Sequence, residues 1–580
     1  MSKANRLFEN KKLILMMVIL SQCIFISILF ALKKEGYHSD EIWNYGFANS
    51  TDGEHIYTEN GKDKNCYAWI DSNTLLEYIS VDKSEIFSYN EVYRNCAKDI
   101  NPPLQNMILH LICSFFQNVW SKWFCFFINL ISFTITQIFL YKIIRIISDD
   151  ENFSLIGVLF FGFCAGVVYI NIFLRIYAMG VMFATMYMYY STKIFKEDSK
   201  KDYIKLFLVG FFGAMTIHMF LVIAFAITLV YSAYYLLKKN YKKMMVYGMI
   251  ALFFVFCSVL AFPSTIPHLT AKNAAYNSGK LSLGYQIVKY FEYISSDTIG
   301  IHNFADPTLA ESIAGLIIAG IIFVIIALLY FNRKKDIVIQ IKETIFGYLK
   351  RIIITLKKTG YPLIVLVFGF LIYLIITSKM SAVGTMGKYA RRYVFLSYPL
   401  FVCIVLFFVK TIFESTKIKV KNINMIITLI MLILAALSHV FSDKAFYFSE
   451  KREGISFDDI EKNADCIVVL DSKWLFTCAT IELYDTDKFY FTDRANYIQD
   501  NYELVEDNDK PVYLLLDVSN EYKGDEFDED AKSVARINGS LTNKQEILNY
   551  YENLGISSEC KLEGCDYFFG RKIEIYKLHP

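Results

Sequence analysis

Long apolar runs separated by short polar segments, many of them basic, set the pattern of this chain. A bilayer core of about 30 Å calls for about 20 apolar residues per helix. Windows of that kind recur near 13–32, 123–143, 153–170, 172–192, 203–219, 220–237, 244–262, 312–331, 361–378, 393–414 and 423–441. They predict an α-helical polytopic membrane protein with about 11 transmembrane helices. The first run carries no small-residue cleavage site and reads as a retained anchor.

Basic residues between the runs set the expected orientation. Lys3, Arg6, Lys11 and Lys12 precede the first span. Lys142 with Arg145, then the clusters at 193–201, 238–243, 333–358 and 417–421, recur after every second crossing. All read as cytoplasmic, which places the N-terminus inside a multi-pass protein of the cytoplasmic membrane. One stretch, "NPPLQNMILHLICSFFQNVW" at 101–120, resists this parity. It reads as a helix started by Pro102 and Pro103 that dips into or lies along the outer leaflet, with His110 and Trp120 toward the interface. The alternative is a full span, compensated by fusion of the runs at 153–170 and 172–192. On the first reading, residues 33–122, 263–311, 379–392 and everything after 442 lie outside.

From Ser442 the pattern changes to that of a soluble domain. Short apolar runs, "CIVVLD" and "VYLLLDVS", read as buried strands and alternate with helix-like stretches such as "LTNKQEILNYYENLG". The expected organisation is a transmembrane domain at 1–441, with a large first outer loop at 33–122, and an extracytoplasmic α/β domain at 442–580. No catalytic motif appears in the latter, so covering or guiding a membrane site is its expected role. Cys66 and Cys96 share the first outer loop, while Cys466, Cys478, Cys560 and Cys565 share the C-terminal domain. An oxidising exterior permits disulfides, and a Cys66–Cys96 bridge is expected; ordinary buried thiols are the alternative.

Composition changes this picture little. The 580 residues are 55% hydrophobic and 20% charged, with a mean hydropathy of +0.35. A net charge of +2 gives no reason to expect a nucleic-acid partner. No CxxC, His cluster or nucleotide-binding signature is present.

Candidate chemistry gathers on the expected outer side. "GYHSDEIWNYGFANS", residues 36–50, places Asp40 and Glu41 just after the first span. "KDINPPLQ", residues 98–105, holds Asp99 two residues before the prolines. "NIFLRIYAMG", residues 171–180, puts Arg175, with Tyr177 nearby, in the end of an apolar helix. An arginine at such depth pairs, serves a ligand, or snorkels to the headgroups. "GTMGKYARRYVFLSYP", residues 384–399, clusters Lys388, Arg391 and Arg392 where the positive-inside rule disfavours them. His218, in "AMTIHMF", ends another span on the same side. The ordinary alternatives are a solvated acidic pair, cations on lipid headgroups and a packed histidine. Together, carboxylates and cations form an inventory for deprotonating a hydroxyl and stabilising a phosphate leaving group.

In this order, "HSDEIWNYGFANS", "DINPPLQNMILHL", "RIYAMG", "TIHMF" and "RRYVFLSYPLF" resemble the GT-C fold membrane glycosyltransferases, and most nearly the bacterial protein-mannosyltransferase and aminoarabinose-transferase superfamily. The resemblance covers about residues 10–441. It implies an inverting transfer of a sugar from a polyprenyl-phosphate donor to a hydroxyl acceptor (glycan, lipid or protein) on the outer face. It also implies that Asp40 is the base, with Glu41 positioning it or the acceptor. Arg175, Lys388, Arg391 and Arg392 would bind donor phosphate, while Asp99, Pro102, Pro103, Tyr177 and His218 would shape the site. Many relatives read His-Pro-Pro-Leu-Tyr where this chain has Asn101, Pro102, Pro103, Leu104 and Gln105. No cofactor is implied with certainty, and a divalent metal is left open. The rival readings are a transporter or flippase of lipid-linked glycans, against which stands the lack of internal repeats, and a non-catalytic membrane assembly protein with a sensing domain.

Overall fold

Helices dominate the computed structural model of the chain. It describes residues 10–51, 55–59, 62–270, 283–301, 361–380, 387–415, 423–448, 453–454, 460–470, 473–493, 510–518, 544–567 and 571–579. Among these, seven helices are long and apolar enough to cross a bilayer: Lys11–Lys33, Lys122–Ser148, Met219–Leu237, Tyr241–Ala261, Pro362–Met380, Tyr389–Thr411 and Asn424–Phe441. An eighth candidate is the pair Glu151–Phe163 and Ala165–Ile172, bent by 59° at Cys164.

The sequence expectation of 11 spans is met only in part. The run at 172–192 is not continuous: Phe173 to Ile176 break the helix, which resumes at Tyr177–Glu197. The run at 203–219 becomes the 15-residue helix Lys200–Ala214, which at 1.5 Å per residue reaches about 22 Å, short of a bilayer core. The expected span at 312–331 lies outside the described residues. Within 101–120 the helix covers only Leu104–Ser114, 11 residues, about 16 Å and too short to cross. Leu111 on this helix and Phe115 and Phe116 just after it are exposed. His110 does not face an interface as expected. Gln105, Asn106, Leu109, His110 and Cys113 share one helical face, and that face is buried, with His110 1% exposed and edge-on to Tyr89.

Polar side chains tie the spans together inside the bundle. Gln137 Nε2 donates to the Gln22 side-chain Oε1 at 2.7 Å, and Gln22 Nε2 donates to the Val158 backbone carbonyl at 3.0 Å. Gly162 permits this approach, because a Cβ there would lie 2.2 Å from the Gln22 amide carbon.

Among the described residues, the C-terminal segment builds six strands of a seven-stranded sheet. Asp465–Leu470 lies inside it, parallel to both Lys488–Asp493 and Val512–Asp517, the latter being the central strand. Every residue of Asp465–Leu470 and of Val512–Asp517 is buried, which is why these strands read as unbroken apolar runs. Arg571–His579, Ser557–Tyr567 and Glu453–Gly454 extend one side antiparallel. The other edge comes from elsewhere in the chain: Trp69–Asp71, from the first loop, pairs antiparallel with Lys488–Asp493. The first loop and the C-terminal segment thus share one sheet.

The expected Cys66–Cys96 bridge is absent. The Cys66 thiol lies 3.1 Å from the Lys64 carbonyl, while Cys96 packs in a separate apolar cluster with Val92 and Phe262. Cys466, Cys478 and Cys560 are also free, and the Cys565 side chain lies outside the described residues.

Candidate functional site

The Ser39–Asn49 helix begins six residues after the last residue of the first span, and its N-terminus is a capping box. The His38 Nδ1 accepts the Asp40 backbone N–H at 3.0 Å, and the Glu41 carboxylate accepts the His38 backbone N–H at 2.8 Å. Asp40 and Glu41 sit in the first turn, where the helix dipole favours negative charge.

The two carboxylates then diverge. Glu41 is 1% exposed and is saturated with donors. Besides His38 N–H, it accepts Lys34 Nζ at 2.9 and 2.8 Å and the Leu174 backbone N–H at 2.8 Å. Lys34 also donates to the Phe446 carbonyl at 3.2 Å. One buried ion pair therefore joins the end of the first span, the acidic helix, the helix break at Phe173–Ile176 and the segment leading into the C-terminal strands. Asp40 has a side chain 14% exposed, with Arg392 Nη1 at 3.3 Å and His38 Nδ1 at 3.8 Å from its oxygens. Burial acts to raise the Asp40 carboxyl, but the positive charge of Arg392, with that of Arg175, more than offsets it and holds the group well below the usual carboxylate range. Burial keeps the His38 imidazole well below its ordinary value, hence neutral at pH 7.

Arg175 owes its position to the broken helix. Backbone groups freed by a break inside a bundle need partners, and three side chains supply them. Asn44 donates to the Leu174 carbonyl at 3.1 Å, Asn129 donates to the Asn171 and Phe173 carbonyls at 3.0 and 2.9 Å, and Glu41 accepts from Leu174 N–H. Arg175 itself is 5% exposed. Its guanidinium has no hydrogen bond or ion pair with any described residue, yet its charge reaches Asp40. Tyr177 opens the next helix, stacked on Phe173 and edge-on to Phe395.

Arg391 and Arg392 part in the same way as the acidic pair. Arg392 reaches Asp40 and lies 3.0 Å from His38 Nε2. Arg391 turns into the bundle, where it pairs with the buried Asp297, donates to Ser296 Oγ at 3.0 Å and lies over the Tyr293 ring. Tyr398 Oη donates to the second Asp297 oxygen at 2.7 Å. The Lys388 side chain lies outside the described residues.

The remaining expected residues are Asp99, Pro102, Pro103 and His218. Asp99 ends the Tyr89–Lys98 helix and accepts Asn101 Nδ2 at 2.9 Å. Pro102 and Pro103 are buried, and the helix they open is braced by Leu104 N–H on the Met215 carbonyl at 3.0 Å. His218 follows that turn and meets His268 at 3.4 Å, which in turn lies 3.0 Å from the Ala97 carbonyl. Sequence reasoning passed over Lys34, Asn44, Asn129 and Asp297. Asn129 left a signal, as an amide in the middle of an apolar span. Lys34 and Asp297 left none, because their partners are 7 and 94 residues away.

A carboxylate held ionised by two guanidinium groups, one of them without a hydrogen-bond or ion-pair partner among the described residues, can accept a proton beside a bound anion. Among the described residues no group of three or more His, Cys, Asp or Glu could hold a metal ion, and the two cations around Asp40 oppose one there.

Residues 100–262 match the family model described as dolichyl-phosphate-mannose-protein mannosyltransferase. That stretch contains Pro102, Pro103, Arg175, Tyr177 and His218; Asp40 and Arg392 lie outside it. No curated protein matches the chain. Among solved structures the chain is similar to the crystal structure of ArnT from Cupriavidus metallidurans bound to undecaprenyl phosphate, at 9% identity and a TM-score of 0.39, with 95% of this chain and 97% of that chain covered.

Proposed function

We propose that the chain is an inverting glycosyltransferase of the cytoplasmic membrane, moving a sugar from a polyprenyl-phosphate donor to a hydroxyl acceptor on the outer face. The observation that carries this reading is Arg175: a buried guanidinium without a described partner, beside a partly open carboxylate. An unpaired buried charge is unfavourable by several kcal/mol, so the position calls for an anion. A phosphate oxygen pair fits the planar donor fork. The match of residues 100–262 to a mannosyltransferase model supports the same reading.

In the proposed step, the acceptor oxygen attacks the anomeric carbon and the bond from that carbon to the phosphate oxygen breaks. The acceptor proton passes to Asp40, and the lipid phosphate leaves with the electron pair, held by Arg175 and Arg392. Without donor, Asp40 is a weak base because the arginines depress its proton affinity. A phosphate on those arginines neutralises part of their charge and raises that affinity, so the base is strengthened when the donor is in place. Glu41 positions both partners through His38 and Leu174, and Arg391 anchors the segment that carries Arg392. The test is transfer by the chain reconstituted in liposomes with polyprenyl-phosphate sugars. Donor turnover that requires Asp40 and Arg175 supports the reading. Movement of an intact lipid-linked glycan across the bilayer, without cleavage of its phosphate bond, supports the transporter instead.

A further inference from the structure

The first loop holds a cleft of about 620 Å³, apart from the arginine-lined site. Its lining is dense in amides and carboxylates: Asn65, Asn73, Glu77, Asp82, Glu85 and Asn118. Lys64 is the one cation and Ile56 the one aliphatic side chain among its described lining residues. This set suits a ligand that is both donor and acceptor along its length. It disfavours phosphate, which the carboxylates repel, and offers little apolar surface for a peptide.

Two residues join the cleft to the Asp40 helix. Tyr78 lines it and is 5% exposed, and its hydroxyl is buried without a hydrogen-bond partner. Its ring lies against Gly46 of the acidic helix so closely that a Cβ there would fall 2.1 Å from Tyr78 Cζ. His55 also lines the cleft, 4.5 Å from the Trp43 ring centroid. Trp43 is three residues from Asp40, on the same side of the helix.

We propose that this cleft binds a neutral glycan, whose chain lies along the amide and carboxylate lining and whose terminal hydroxyl is delivered past His55 and Trp43 to Asp40. The proposal rests on the transferase reading for the fate of that hydroxyl, but the binding can be measured without turnover. Full-length protein in detergent is applied to an array of neutral oligosaccharides and Ser/Thr peptides, alongside an N73A/E77Q double variant and D40N. Asn73 and Glu77 are both exposed, so their substitution leaves the fold intact. The expected result is that wild type and D40N bind the same neutral oligosaccharides, while N73A/E77Q binds them at least tenfold more weakly. Binding that is absent from wild type, unchanged in N73A/E77Q, or confined to the peptides would overturn the proposal. If D40N kept full transfer while N73A/E77Q lost binding, the base assignment would fail and the glycan cleft would stand.

Discussion

Asp40 and Glu41 are neighbours in the chain, as are Arg391 and Arg392, and in each pair one residue is locked while the other faces the site. Glu41 spends all its acceptor capacity on Lys34 and two backbone N–H groups, and Arg391 is bound to Asp297. Asp40 and Arg392 meet each other and His38, Arg392 also reaches Tyr393, and the charge of Arg175 acts on Asp40. The difference teaches that charge at such a site serves two ends: buried, saturated pairs fix the backbone, so that the less satisfied groups stand at the right place.

The contrast breaks first at Glu41. Replacing it by Ala leaves Lys34 buried without its partner, a change that costs about 3–5 kcal/mol, and thermal unfolding in detergent should show a large loss of stability. A tolerated E41A would erase the distinction between the two carboxylates. Arg175→Met should act in the opposite sense. Losing charge-assisted hydrogen bonds to phosphate weakens polyprenyl-phosphate binding by about 1.5–3 kcal/mol, roughly 10- to 100-fold, with stability unchanged or raised because an unpaired buried charge is gone. A titration with polyprenyl phosphate and a melting curve on the same sample read both.

Gly46→Ala tests the junction between the acidic helix and the cleft. Its methyl group overlaps the Tyr78 ring, and overpacking of this kind costs about 1–3 kcal/mol. Weaker acceptor saturation at unchanged donor affinity is the expected kinetic sign.

The smallest expected effect is a shift in pH dependence. Asp40 must be ionised to act, so activity falls as pH drops through its pKa. In the donor-free chain that value lies well below the usual carboxylate range because of Arg392. The acid limb of kcat/KM for donor should therefore lie at lower pH than that of kcat, where bound phosphate offsets the arginines. Arg392→Met should move the kcat/KM limb to higher pH, and an unmoved limb would remove Arg392 as the cause.

Much of this was legible in the sequence, and the misses share a cause. Apolar windows placed most of the spans because a bilayer imposes a length. They missed the break at Phe173–Ile176 because its backbone partners, Asn44, Asn129 and Glu41, are distant in sequence. The strands at 465–470 and 512–517 were readable as buried runs, whereas the three-residue edge Trp69–Asp71 carries no periodicity to read. Arg175 and Arg392 stood out as charges in unfavourable places, and Asp40 through the family resemblance; the structure brings Asp40 and Arg392 together. That Arg391 would turn to Asp297 depended on a helix whose packing the sequence pattern does not encode.

The most direct test of the central claim is Asp40→Asn, measured for both donor binding and transfer in one reconstituted preparation. The account predicts that D40N folds, binds polyprenyl phosphate at least as tightly as wild type, since a negative charge beside the arginines is removed, and loses transfer by about 10²- to 10⁴-fold. Transfer at the wild-type rate with intact donor binding would contradict it.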